Sequence, residues 1–266
     1  VATVTSQDGT AIDYEKTGSG PAVILVYGAS GTRAYPTWTE IASTLANDFT
    51  VYNYDRRGRA GSGDTAPYAV QREVEDIEAL IDAAGGSAFL YGVSSGAVLA
   101  LEAASKLPDK VTRLAMYEPP FIVDDSHAPL PDDYVERLDA AIAAGDRSKA
   151  LEIFFTDALG VPAEYVAGMK TEPWWAGTET VAHTIAYDGR IMGDTMSGKP
   201  LPEGKWAGAT MPVLVLVGGN SESFFHSGAA AIAANLPDAR HETLAGQDHD
   251  AKPAVLAPAL AEFFKG

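Results

Sequence analysis

The stretch Ser87-Ala88-Phe89-Leu90-Tyr91-Gly92-Val93-Ser94-Ser95-Gly96-Ala97-Val98-Leu99-Ala100-Leu101 decides how this chain is read. Ser87–Tyr91 is a short apolar run suited to a buried strand, and Ala97–Ala104 has the composition of a helix. Between them Gly92–Gly96 fits the pattern G-x-S-x-G. That pattern is weak alone, because a glycine-rich chain produces it by chance. Between a strand and a helix it describes a sharp turn that exposes the central serine hydroxyl at the end of a sheet. The helix start then aims free N–H groups and a partial positive charge at that hydroxyl.

The segments on either side extend the strand–helix alternation. Ala2–Thr5 and Ala11–Glu15, joined by a turn at Asp8-Gly9, read as an opening hairpin. Ala22–Tyr27 is a continuous apolar run, the signature of a parallel strand covered on both faces. A helix is expected near Trp38–Ala46, and a strand over Thr50–Tyr54 that runs into the tight loop Asp55-Arg56-Arg57-Gly58-Arg59-Ala60-Gly61-Ser62-Gly63. Val70–Ala83 is helical by spacing, and Val111–Tyr117 is the strand after the elbow helix. From Pro119 to about Gly208 the alternation stops, and helices are expected at Asp132–Ala144, Ser148–Ala158, Ala163–Met169 and Glu179–Tyr187. It resumes with a strand at Val213–Val217, a helix at Ser227–Leu236, a strand at Arg240–Leu244 and a helix at Ala254–Phe264.

This order predicts an α/β fold: a mostly parallel central sheet with helices on both faces, interrupted after the sixth strand by a helical cap. Residues 1–118 and 209–266 form the expected core domain and 119–208 the cap. Ligands of such sheets bind beyond the carboxyl ends of the strands. The elbow, Glu118 and the loop after Val217 all lie there.

Composition narrows the chemistry. The chain has 266 residues, 46% of them hydrophobic, and a net charge of −17 from 36 acidic and 19 basic residues. Polyanions are repelled, so neither nucleic acid nor an anionic membrane surface is an expected partner. The absence of cysteine excludes disulfides, thiol nucleophiles and thiolate metal sites. No histidine pair has ligand spacing on one helix, and no dinucleotide or nucleoside-triphosphate loop follows a strand, so no metal and no cofactor are expected. A cytoplasmic location is expected, with a homodimer as one option for assembly.

A serine hydroxyl needs a base, and the base needs an orienting acid. Of the five histidines, His249 lies between the last strand and the last helix, where a serine–acid–histidine order puts the base. His241 falls inside a strand, His127 and His183 in the insertion, and His226 at a helix start. The acid has two candidates. The loop after the penultimate strand, Gly218-Gly219-Asn220-Ser221-Glu222-Ser223, has no aspartate but carries Glu222. The strand after the elbow helix ends in Tyr117-Glu118-Pro119-Pro120, where Pro119 is expected to keep Glu118 extended. Oxyanion donors are expected at the N–H of Ser95 and of Ala29, the latter in the loop Tyr27-Gly28-Ala29-Ser30-Gly31.

These residues resemble the α/β-hydrolase superfamily over almost the whole chain. Tyr27-Gly28-Ala29 stands where many members carry His-Gly-x, Asp55–Ser62 looks like the family's strand-4 loop, Gly92–Gly96 is the elbow and His249 the base. The arrangement is similar to that of the zearalenone lactonases. In those, Ser-Ser-Gly-Ala also occurs at the elbow, Glu-Ser-Phe-Phe in a post-strand loop, and the acid is a glutamate after the strand following the elbow helix. Ser94–Ala97, Glu222–Phe225 and Glu118 match these in turn. The resemblance implies a serine hydrolase with Ser94, His249 and Glu118 as its triad.

The expected substrate is a small to medium, hydrophobic, mostly neutral ester or lactone. The residues expected to contact it are Tyr27, Phe154, Trp174, Trp175, Tyr187 and Phe224. The alternatives are the same fold running lyase, cofactor-free oxygenase or acyltransferase chemistry, or serving as a ligand-binding receptor. Epoxide hydrolases and dehalogenases of this fold place aspartate where this chain has Ser94.

Overall fold

The computed structural model describes residues 1–266. The strands are β1 (Ala2–Thr5), β2 (Ala11–Gly18), β3 (Ala22–Val26), β4 (Thr50–Tyr54), β5 (Ala88–Val93), β6 (Val111–Tyr117), β7 (Val213–Gly218) and β8 (Ala239–Leu244). They form one sheet in the order β1-β2-β4-β3-β5-β6-β7-β8. The hairpin β1–β2 and the β2–β4 pair are antiparallel, and every other pairing is parallel. The order reverses at β3, so the chain leaves β3 in one direction and β5 in the other, opening a crevice at their carboxyl ends.

The helices outside the insertion are α1 (Pro36–Leu45), α2 (Val70–Ala83), α3 (Ser95–Lys106), α9 (Ser223–Asn235) and, after β8, α10 (Pro253–Lys265). The insertion after β6 supplies α4 (Tyr134–Ala143), α5 (Arg147–Ile153), α6 (Ala163–Met169), α7 (Pro173–Glu179) and α8 (Ile185–Met192). The strand pattern explains the two-sided cover. Ile24 and Val26 of β3 and Val213, Val215 and Val217 of β7 face the core built with α2, α3 and α9. Their neighbours Val23, Leu25, Leu214 and Leu216 face the core built with α1 and α10. A strand buried on both faces has no polar side, which is why it reads as a continuous apolar run.

The insertion differs from the expected helices in three places. Pro173 opens a separate helix, α7, because its fixed φ suits a first helical position. The expected helix over Glu179–Tyr187 is instead the end of α7, a 3₁₀ turn at Ala182–Thr184 and then α8. The segment expected over Ser148–Ala158 widens into a π-helical turn at Phe154–Ala158. Residues between Tyr134 and Ala186 share a small core of their own, with Leu138, Leu151, Val166 and Trp175 at its centre. Phe121, Ile122, Met196, Leu201 and Trp206, also within 119–208, join the core of the sheet instead. No helix is long and apolar enough to cross a membrane.

Candidate active site

Strand β5 ends at Val93 and α3 begins at Ser95, so Ser94 carries the whole reversal. Its φ is 55° and its ψ −132°, a strained backbone for a residue with a side chain. The flanking glycines make the turn sterically possible. A Cβ on Gly92 would lie 2.5 Å from Gly96 O and 2.6 Å from Ala97 Cα, and one on Gly96 would lie 2.5 Å from Tyr27 C. The Ser94 N–H donates to Tyr117 O at 2.9 Å, which ties the elbow to β6.

Glu118 follows β6 and is fully buried. Pro119 does not keep it extended: φ is +47°. This bend lets a residue at a strand end turn its side chain across the sheet. The Gly218 N–H donates to Glu118 Oε1 at 2.7 Å, and the Ser221 hydroxyl donates to the same oxygen. Glu118 Oε2 lies 2.6 Å from His249 Nδ1. A carboxylate only accepts, so Nδ1 carries a proton, and in the neutral ring the lone pair is on Nε2. The His249 loop is held by a hydrogen bond from Tyr117 OH to Asp248 O, and the ring stacks on Phe225 at 4.9 Å. Glu222 caps the start of α9, is exposed and has no bond to His249.

Ser94 and His249 open onto one cavity of about 210 Å³. No hydrogen bond joins Ser94 Oγ to His249; a nucleophile–base contact often tightens only around substrate. Ala29 and Ser95 line the same cavity. Ser95 is the first residue of α3, so its N–H has no partner within the helix. Gly28 brings the neighbouring loop against the elbow: a Cβ there would lie 2.9 Å from Ser94 Cβ.

Phe154 and Phe224 line the cavity, but four other aromatic residues expected there do not. Tyr27 is buried, stacks on Trp38 at 4.4 Å and donates to Asn53 Oδ1 at 2.7 Å. Trp175 is buried in the insertion's own core, its indole N–H shared between Ser148 and Glu179. Trp174, on the same helix, points to solvent and is 44% exposed. Tyr187 stacks on Tyr68 at 3.8 Å and donates to Asp64. Each position depends on helix phase or strand face, and the apolar groups that fill the cavity wall instead include Tyr134, Leu130, Met192, Met196 and Phe225.

Sequence reading also missed the buried charges beside the cavity. Arg56 and Arg59 are 1% exposed, as is Glu73, and Asp188 is 4% exposed. Arg56 makes a two-pronged bond to Glu73, both contacts at 2.7 Å, and a third to Asp188 at 2.7 Å. The three arginines in Arg56-Arg57-Gly58-Arg59 were the available signal, beside a buried strand rather than on a solvated face. Burial alone would raise the Asp188 carboxyl, but the Arg56 and Arg59 guanidiniums outweigh it and hold the group below the usual carboxylate range. No three His, Asp or Glu side chains converge as metal ligands.

The comparisons with known proteins agree with this architecture. The model of the "Alpha/beta hydrolase family" matches residues 23–260. The crystal structure of an alpha/beta hydrolase from Sphaerobacter thermophilus DSM 20745 is 50% identical, with a TM-score of 0.89 over 99% of this chain and 100% of that one. The uncharacterized hydrolase YraK of Bacillus subtilis (strain 168) is 34% identical over 115 residues, 42% of each protein. The 2-(acetamidomethylene)succinate hydrolase of Mesorhizobium japonicum is 24% identical over 95% of this chain and 91% of its own length. With the elbow, the sheet order and a family match over residues 23–260, from β3 to the last helix, this chain belongs to the alpha/beta hydrolase family.

Proposed function

We propose that this protein is a serine hydrolase that cleaves small, hydrophobic, mostly neutral carboxylic esters or lactones. The observation that carries the reading is the buried Glu118 carboxylate 2.6 Å from His249 Nδ1, on a ring that shares its cavity with Ser94 at the elbow. Ser94 Oγ attacks the carbonyl carbon while His249 Nε2 takes its proton. Glu118 balances the imidazolium, and the Ala29 and Ser95 N–H groups receive the oxyanion. Collapse of the tetrahedral intermediate breaks the C–O bond, and the leaving alkoxide takes the proton from His249. Water, deprotonated by His249, then releases the acid from Ser94. For a lactone, both products leave as one hydroxy acid.

The cavity favours small substrates. At about 210 Å³ it is smaller than the roughly 300–1,000 Å³ of pockets that hold drug-sized ligands. Its wall is mainly apolar, with Phe154, Phe224, Met192 and Met196 among its residues.

The test is labelling with a fluorophosphonate probe, followed by mass spectrometry. The expected result is one adduct on Ser94, absent from Ser94→Ala and strongly slowed in His249→Ala, with short-chain p-nitrophenyl esters hydrolysed in the same order. A folded Ser94→Ala variant with wild-type turnover would refute the reading.

A further inference from the structure

The buried ions beside the cavity converge on the two peptides that carry the proposed oxyanion donors. Asp188, on α8 of the insertion, accepts from the Ser95 hydroxyl at 2.8 Å through Oδ1. The same oxygen accepts from Arg56 Nη1 at 2.7 Å. Its other oxygen, Oδ2, accepts from Arg59 Nη2 at 2.7 Å. Arg59 is fixed further by Thr184, which accepts from Nε at 3.1 Å. Its remaining arm, Nη1, donates to Gly28 O at 2.6 Å and to Gly31 O at 3.2 Å.

The bond to Gly28 O determines where the Ala29 N–H points. In a planar trans peptide the C=O of one residue and the N–H of the next are antiparallel. Arg59 holds the Gly28 carbonyl on the side of the buried ions, so the Ala29 N–H must point the other way. Ala29 lines the cavity with Ser94 and Ser95. Rotation of this peptide would turn the carbonyl toward the oxyanion, replacing a donor by a repulsive acceptor.

We propose that Asp188 is a positioning residue for the oxyanion hole, a single carboxylate that braces both donor residues, Ser95 through its side-chain hydroxyl and Ala29 through Arg59. The inference rests on the hydrolase reading above. The local charges balance: Arg56 and Arg59 face Glu73 and Asp188. Asp188 therefore stays ionised while buried, and a fixed ionic lattice, rather than a mobile loop, sets the donor directions. Asp188 comes from the insertion, whereas both donor peptides belong to the sheet domain, so correct packing of the insertion becomes a condition for the donors to be aimed. Preorganised donors of this kind stabilise the transition state more than the bound substrate.

The test compares wild type with Asp188→Asn, Arg59→Lys and Ser95→Ala. The readouts are kcat and KM for p-nitrophenyl acetate, inhibition by butylboronic acid, fluorophosphonate labelling and thermal denaturation. A boronate on the serine places an oxygen in the oxyanion hole, so its affinity reports donor alignment. Loss of one oxyanion donor costs about 10²–10³ in kcat elsewhere, so mis-aiming should cost about ten- to a hundredfold. The expected result for folded Asp188→Asn and Arg59→Lys is that loss in kcat, with KM nearly unchanged and boronate inhibition weakened in parallel. Arg59→Lys keeps the charge but replaces the fork by a single point donor that cannot hold Asp188 and Gly28 together in one geometry. Ser95→Ala should show a smaller loss of the same kind, since its N–H remains.

Wild-type kcat in the folded variants overturns the proposal, as does a change confined to KM. If Asp188→Asn does not fold, Arg59→Lys and Ser95→Ala decide by the same criteria. Wild-type protein that neither labels nor hydrolyses the ester overturns the hydrolase reading itself, and the proposal with it. Wild-type protein that does both, with variants unaffected, overturns the positioning role alone.

Discussion

Glu118→Gln separates orientation of the histidine from mere packing. The glutamate is fully buried and uses Oε1 for two donors, Gly218 N–H and Ser221 Oγ–H, and Oε2 for His249. Glutamine has nearly the same shape. Its carbonyl oxygen can replace Oε1, which leaves its NH₂ facing His249 Nδ1. Two donors would then meet at 2.6 Å, so the ring must move its proton to Nε2 and accept at Nδ1. Nε2 is then a donor and cannot take the Ser94 proton. The wrong tautomer, together with loss of the balancing charge, costs about 10⁴-fold in kcat, or about 5.4 kcal/mol at 1.36 kcal/mol per tenfold. The fold should survive, with a loss of about 1–3 kcal/mol from the weakened bonds. Glu222→Gln is the comparison, because that side chain lines the cavity with His249 but is exposed and makes no bond to the ring; its kcat should fall far less than that of Glu118→Gln. The assay is steady-state hydrolysis of p-nitrophenyl acetate with circular-dichroism melting of each variant. Folded Glu118→Gln keeping more than about a tenth of the wild-type kcat would refute the tautomer argument.

Acid should destabilise the protein through two ion-paired carboxylates, Asp8 and Asp188. Burial works against ionised Asp8 and Asp188, but Arg57 beside the first and Arg56 and Arg59 beside the second hold both below the usual range. Depressed folded-state values mean that their stabilisation is complete above the ordinary carboxylate pKa and is lost as pH falls through the folded values; melting temperature against pH should therefore drop below about pH 4, and a flat profile there would contradict the ion pairs. Phe154→Ala enlarges the cavity wall, so kcat/KM should shift toward longer acyl chains across a p-nitrophenyl ester series, whereas an unchanged chain-length optimum would place the acyl group elsewhere. Trp175→Ala should cost about 3–5 kcal/mol because it empties the insertion's core, while Trp174→Ala should change stability little; equal melting temperatures for the two variants would contradict their assigned environments.

The arrangement places the proposed reacting groups after three separate strands, and the proposed brace of their oxyanion donors on the insertion. Ser94 follows β5, Glu118 follows β6 and His249 follows β8. Each is near rigid sheet backbone, and the two residues with positive φ, Ser94 and Glu118, are held by bonds to neighbouring strands: Ser94 N–H to Tyr117 O and Glu118 N–H to Leu216 O. The buried arginines connect this framework to α8. Breaking such a pair leaves a bare charge in the interior and typically costs about 3–5 kcal/mol, so the network ties stability to the geometry of the cavity.

The sequence alone determined whatever depends on neighbours along the chain. Gly92–Gly96 between an apolar run and a small-residue helix required a sharp turn, and the β3 and β7 runs required strands covered on both faces. Periodicity also located α6 at Ala163–Met169, matching its observed bounds. Only the tertiary structure shows that Glu118, and not Glu222, contacts His249, because that partner lies 131 residues away and reaches the ring through a backbone bend that a following proline does not suggest. It also decided which aromatic residues meet the cavity: Tyr27, Trp174, Trp175 and Tyr187 are turned elsewhere by strand face and helix phase. Asp188 and Arg56 are 132 residues apart, and only burial converts these ordinary surface-type residues into fixed parts of a lattice. Local sequence sets backbone preference and hydrophobic period; which distant charges share a desolvated space is set by packing.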